Sequence, residues 1–173
     1  MRTRGEIPLE LAVEPGGAEF ADPAKEFDSP DQKISEPDPR GRIYRDAEGL
    51  IKVETIVVPS TSAEATWARV HLIFNPDLTQ KAHWNNEVDN MAVWVDPPAG
   101  WEVDAQLLSV QSPPQPVSQE ERRAEFEIRG PAGASAVVPA YALYYVCEAV
   151  DGTCLYRRQD IQLRIDPQKA QSE

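Results

Sequence analysis

From Leu50 onward, clusters of Pro, Gly, Asn and Asp cut the chain into short runs of β-type residues at nearly regular spacing. This punctuation leaves no room for long helices. The 16 prolines, against 9 glycines, reinforce it, because a proline inside a helix removes a backbone hydrogen bond and crowds the preceding turn. The first run, IKVETIVV at 51–58, ends at Pro59-Ser60-Thr61-Ser62. Trp67 to Phe74 follows, with Val70, Leu72 and Phe74 on one face and Arg69 and His71 on the other, until Asn75-Pro76-Asp77 turns the chain. Met91 to Val95 is closed by Asp96-Pro97-Pro98-Ala99-Gly100, and Glu102 to Val110 by SPPQP at 112–116. Ala124, Phe126 and Ile128 then alternate with Glu125, Glu127 and Arg129, the cleanest period-two signal in the chain. Two aromatic-rich runs around Ala149-Val150-Asp151-Gly152 form the last pair, and the Asp-Gly step suits the positive φ angles of a tight hairpin.

Seven runs, each bounded by turn chemistry, predict an all-β protein, an immunoglobulin-like antiparallel β-sandwich of about seven strands spanning 46–167. The single helical candidate is one turn at Ser118-Gln119-Glu120-Glu121, where a serine cap and acidic residues suit a helix start. Residues 1–45 are proline-rich and acidic and read as an extended arm or linker. Within them only Ile7-Pro8-Leu9-Glu10-Leu11 offers strand-like alternation, and a strand lying across the main domain is the alternative. The tail at 168–173 reads as frayed.

Charge narrows the function. With 29 acidic against 17 basic residues the formal net charge is −12, which argues against binding to phosphate backbones or anionic membranes. No run approaches the roughly 18 apolar residues of a membrane span. The first residues, MRTRGEIPLELAVEPGG, are too polar and interrupted for a signal peptide, so the expectation is a start inside a longer protein or after a removed leader. No Ser-His-Asp grouping, phosphate-binding glycine loop or dinucleotide fingerprint appears, and no cofactor is expected. His71, His83, Cys147 and Cys154 lack the paired short spacing of a zinc module, so no metal is expected either.

The two cysteines, Cys147 and Cys154, flank the last turn. If Ala149 to Gly152 form a four-residue loop closed by Glu148 and Thr153, the cysteines are directly opposed, with Cβ atoms about 4.5–5.5 Å apart. If Asp151-Gly152 alone turns the chain, they are diagonal neighbours on one face, and either register allows a bridge. Cys147 then shares its side with Tyr145, Leu143 and Tyr141, facing Tyr156, Arg158 and Asp160, whereas Leu155, Ile161, Leu163 and Ile165 lie on the opposite, core side. That places the cysteines on the more open face, where a thiolate can reach a sulfur, and Arg157 and Arg158 could favour a thiolate there. A static disulfide closing so short a loop, worth about 2.5 kcal/mol on the chain-entropy model, fits the same spacing.

The run YYVCEAVDGTCLYRRQDIQLRI resembles the end of the amino-terminal domain of the thiol:disulfide interchange protein DsbD family. There a strand ends in the first active cysteine, and an acidic, Gly-containing turn leads to the second cysteine and a following aromatic. The resemblance matches Cys147 and Cys154 to the pair, Asp151-Gly152 to the turn and Tyr156 to the aromatic. It implies an immunoglobulin-like domain that passes electrons to a thioredoxin-fold or other redox partner, possibly a domain of the same longer chain, in an extracytoplasmic and periplasmic setting. It also implies that Cys154 is the sulfur facing the partner, and that a cap loop shields the pair. Two stretches are candidates for the cap, KAHWNNEVDN at 81–90 and QSPPQPVS at 111–118. In the first, His83 and Trp84 are candidate lid or binding residues, with Tyr145, Tyr156 and Arg158 beside the cysteines. The bland reading of that loop anchors Trp84 in the core. A β-sandwich accessory or protein-binding module with a structural disulfide is the alternative function.

Overall fold

The computed structural model describes residues 34–59, 65–149 and 152–167. The fold is all-β, two antiparallel sheets packed as a sandwich. Among the described residues there are ten strands: β1 (Ile51–Pro59), β2 (Thr66–Pro76), β3 (His83–Asn85), β4 (Met91–Val95), β5 (Glu102–Val103), β6 (Leu107–Val110), β7 (Val117–Ser118), β8 (Arg122–Gly130), β9 (Ala136–Cys147) and β10 (Cys154–Ile165). One sheet has the order β1-β2-β8-β5. In the other, β9 is central: β10 pairs along one edge, while β4 and then β3 share the other edge, extended by β6 and β7 respectively.

The alternating strands bury the faces their sequences predict. Val70, Leu72 and Phe74 from β2 and Phe126 and Ile128 from β8 are essentially solvent-free, and they meet Val138, Ala142, Tyr144, Val146, Leu163 and Ile165 of the other sheet. Across β2 and β8, Arg69, His71, Glu125 and Glu127 face water and pair with one another.

Three local expectations are corrected. The run at 102–110 divides between sheets: Val103 pairs with Ile128 of β8, whereas Leu107 to Val110 pair with β4. Asp104 makes the crossing, its carboxylate and backbone N–H bonded to the backbone of Glu127. The one-turn helix at Ser118 does not form. Ser118 instead ends β7, opposite Trp84, and Gln119 donates to the Ala82 carbonyl, so long-range bonds prevail over a weak local cap. The helical turn among the described residues is a 3-10 turn at Leu78–Gln80, capped by the Asp77 carboxylate. Finally, β3 and β7 raise the strand number above seven, being too short to show any alternation.

Residues 36–46 lie against the outer face of β9 and β10. The Asp46 N–H bonds to the Arg158 carbonyl and the Arg158 N–H to the Tyr44 carbonyl, a parallel bridge on the edge of β10 away from β9. Ile43 packs on a second, smaller apolar cluster of Trp94, Tyr141 and Leu143. Ile7 to Leu11 lie outside the described residues.

Candidate functional site

The last hairpin pairs β9 and β10 over twelve residue pairs, from Cys154 opposite Cys147 to Ile165 opposite Ala136. Of the two registers compatible with the sequence, this is the four-residue loop: the Glu148 N–H bonds to the Thr153 carbonyl at 3.2 Å. Among the loop's described residues, Ala149 has a positive φ of 52°. Gly152 matters through close approach, because a Cβ there would run into the Glu148 carbonyl. Cys147 and Cys154 are joined by a disulfide.

Pairing fixes the faces. Tyr144, Val146, Ile161, Leu163 and Ile165 belong to the sandwich core, so Cys147, Cys154, Tyr145 and Tyr156 lie on the outer side, as their alternation predicts. The two cysteines are not equivalent. Cys154 is exposed, whereas Cys147 retains 1% of its accessible surface. Next to the bridge, Tyr145 and Tyr156 stack with ring centroids 4.4 Å apart. Burial raises the Tyr156 hydroxyl pKa, with further contributions from Tyr145, Asp89 and Asp38, so the loop at 86–90 brings a carboxylate to the tyrosine pair.

Beyond the tyrosines the outer face is covered rather than open. Arg158 stacks on Tyr141 at 3.7 Å, donates from Nη1 to the Asp38 carboxylate at 2.8 Å and to the Asp38 carbonyl at 3.0 Å, and donates from Nε to Asp160 at 2.7 Å. Asp38 also accepts from the Arg42 and Ile43 N–H groups. Burial opposes its ionisation, but these bonds outweigh it and hold the carboxyl below the ordinary range. The Tyr141 hydroxyl accepts from the Asp38 N–H and donates to Glu36; burial, with Glu36 alongside, pushes it up to about 12. A shallow depression of about 350 Å³ on this face is lined by Glu36, Arg45, Trp94, Tyr141, Arg158 and Asp160 and does not reach the cysteines.

Arg158 is therefore committed to its carboxylates and is not directed at a sulfur. Arg157 faces the opposite side, opposed to Tyr144. Trp84 is likewise core and forms no lid. It has no exposed surface, donates from Nε1 to the Glu120 carbonyl at 2.8 Å, meets Tyr144 edge-on at 5.7 Å and lies under the Arg122 guanidinium at 4.4 Å. That anchorage brings β3 to the end of β9, so that His83 opposes Cys147. His83 is half-buried, with Nδ1 3.3 Å from the Lys81 carbonyl. His71 lies on the outer face of the other sheet, so the two histidines and two cysteines do not converge.

The second cap candidate, 111–118, is tied to the first. The Ser112 N–H bonds to Asn90 Oδ1, the Asn86 amide donates to the Gln115 carbonyl, and the Asn86 N–H to the Pro116 carbonyl. Sequence reasoning put Tyr141 on this face but missed Asp38 and Glu36, its partners there. The signal available was the EPDPRG turn at 36–41, in which an aspartate precedes a glycine of φ 59°. No protein-family model matches this chain, and neither does any curated protein sequence.

Proposed function

We propose that the Cys147–Cys154 bridge is exchangeable and that the domain, read as immunoglobulin-like, passes electrons between thiol-disulfide partners. The observation that carries this reading is the asymmetry of the pair: Cys154 exposed, Cys147 buried, at the free end of a hairpin on the side away from the main core. A partner thiolate attacks Cys154 Sγ, a mixed disulfide forms there, and Cys147 leaves as a thiolate. A second partner thiol then releases the dithiol, or the steps run in reverse. Opening the bridge leaves the rest of the β9–β10 ladder and its core contacts in place, so its staple value of about 2.5 kcal/mol is not needed to hold the register. By resemblance to the DsbD amino-terminal domain, the partner is a thioredoxin-fold protein or a domain of the same longer chain, and the compartment is the periplasm.

The test has two parts. Dithiothreitol should reduce the bridge in the folded protein, and Cys147→Ser, which leaves the exposed Cys154, should form a stable mixed disulfide with an oxidised thioredoxin-fold partner. A bridge that resists reduction short of unfolding, with neither single serine variant capturing a partner, returns the disulfide to a structural role in an accessory or binding module.

A further inference from the structure

His83, Cys147 and Cys154 form one row across three adjacent strands, because His83 is paired with Cys147 and Cys147 with Cys154. Directly paired residues of antiparallel strands project to the same face, with Cβ atoms about 4.5–5.5 Å apart. The buried Cys147 is thus flanked by His83 on one side and by the exposed Cys154 on the other. The groups around this row are Tyr145 on β9, Glu148 just beyond its end, Tyr156 on β10 and Asp89 from the loop at 86–90, while β7, the other neighbour of β3, contributes Val117 and Ser118 and no titratable group. Arg157 and Arg158 are directed elsewhere, so the side chain opposed to Cys147 is His83, whose imidazole can both give and take a proton.

We propose that His83 is the proton carrier for the Cys147 sulfur, an inference that rests on the exchange reading above. When a partner thiolate attacks Cys154 Sγ, the sulfur–sulfur bond breaks and its electron pair goes to Cys147. The His83 imidazolium stabilises that thiolate and then transfers its proton, leaving a Cys147 thiol and a neutral imidazole. In the return step neutral His83 takes the Cys147 proton, and the thiolate attacks the mixed disulfide at Cys154, re-forming the bridge and expelling the partner thiolate. The bond from Nδ1 toward the Lys81 carbonyl leaves Nε2 as the nitrogen that exchanges the proton.

The test isolates the sulfur. In a Cys154→Ser background, Cys147 is the lone thiol, and its thiolate is read by ultraviolet absorbance against pH in the folded protein. Removing an opposite charge at this range shifts a pKa by about one unit or more, so His83→Gln should cut the thiolate fraction about tenfold at pH values below the thiol pKa. His83→Lys, which keeps a cation but not the imidazole, should preserve the thiolate. In the bridged protein both substitutions should remove the histidine limb from the pH profile of dithiothreitol reduction. An unchanged Cys147 titration in His83→Gln overturns the proposal, as does a loss of thiolate in His83→Lys equal to that in His83→Gln. The titration needs no exchange partner, so its outcome is separate from a failure of the bridge to exchange.

Discussion

Trp84→Phe separates an anchor from a lid. The indole is fully buried, and the substitution removes its pyrrole portion, its bond to the Glu120 carbonyl and much of its attraction for the Arg122 guanidinium. Full truncation of a buried aromatic costs about 3–5 kcal/mol, of which losing the smaller ring is a fraction, about 1–2 kcal/mol. A hydrogen bond adds about 1 kcal/mol, and the weakened cation–π contact about 0.5 kcal/mol. The sum, about 2–4 kcal/mol, is a large part of the 5–15 kcal/mol typical of a domain and lowers a urea midpoint by about 1–2 M. Equilibrium urea unfolding by circular dichroism reads it without interference from the other tryptophans. A lid residue would behave in the opposite way, with stability unchanged and bridge reduction accelerated. A loss below about 0.5 kcal/mol, the size of an ordinary surface substitution, would refute the packing argument.

Asp38→Asn removes the charge that organises 36–46, and amide exchange at Arg42 and Ile43, whose N–H groups it accepts, should speed up about tenfold or more, as measured by hydrogen-exchange NMR. Because the Asp38 pKa is lowered on folding, its contribution is complete above the unfolded value of about 4 and disappears as pH falls through the lower folded value, so the native protein should lose the same protection only in that acidic window. Gly130→Ala places a methyl group against the Trp101 ring and should destabilise by about 1–3 kcal/mol in the same urea assay. Ala149→Gly relieves a left-handed residue, at φ 52°, and should stabilise by about 0.5–1 kcal/mol, seen as a higher midpoint.

What was legible in the chain was whatever repeats every second residue or punctuates a run. Val70 to Phe74 and Ala124 to Ile128 showed their buried faces because one side of each strand meets the core and the other meets water. The same alternation put Cys147 and Cys154 on the outer face of the hairpin. Strands of two or three residues, such as Val117–Ser118 and His83–Asn85, have no room for a period and exist through partners distant in sequence. Leu143 and Tyr141 alternate correctly yet are buried on the outer side, because a segment about a hundred residues earlier covers them. The opposition of His83 to Cys147 has the same origin: it follows from Trp84 being drawn into the core, a tertiary event that no local pattern encodes.

The parallel bridge between Arg45 and Arg158 has a consequence for how the molecule coexists with its own copies. A free strand edge offers unpaired N–H and C=O groups that template growth by another chain. Tyr44 and Asp46 occupy the Arg158 N–H and C=O midway along β10, and the Arg45 guanidinium stands over Asp160 next to it. An incoming strand would have to displace backbone bonds and an ion pair to extend its register past that point. The segment across the hairpin thus acts as a guard against runaway sheet extension, leaving the edge at Cys154 and Tyr156, next to the disulfide, as the part of β10 on the other side of the guard.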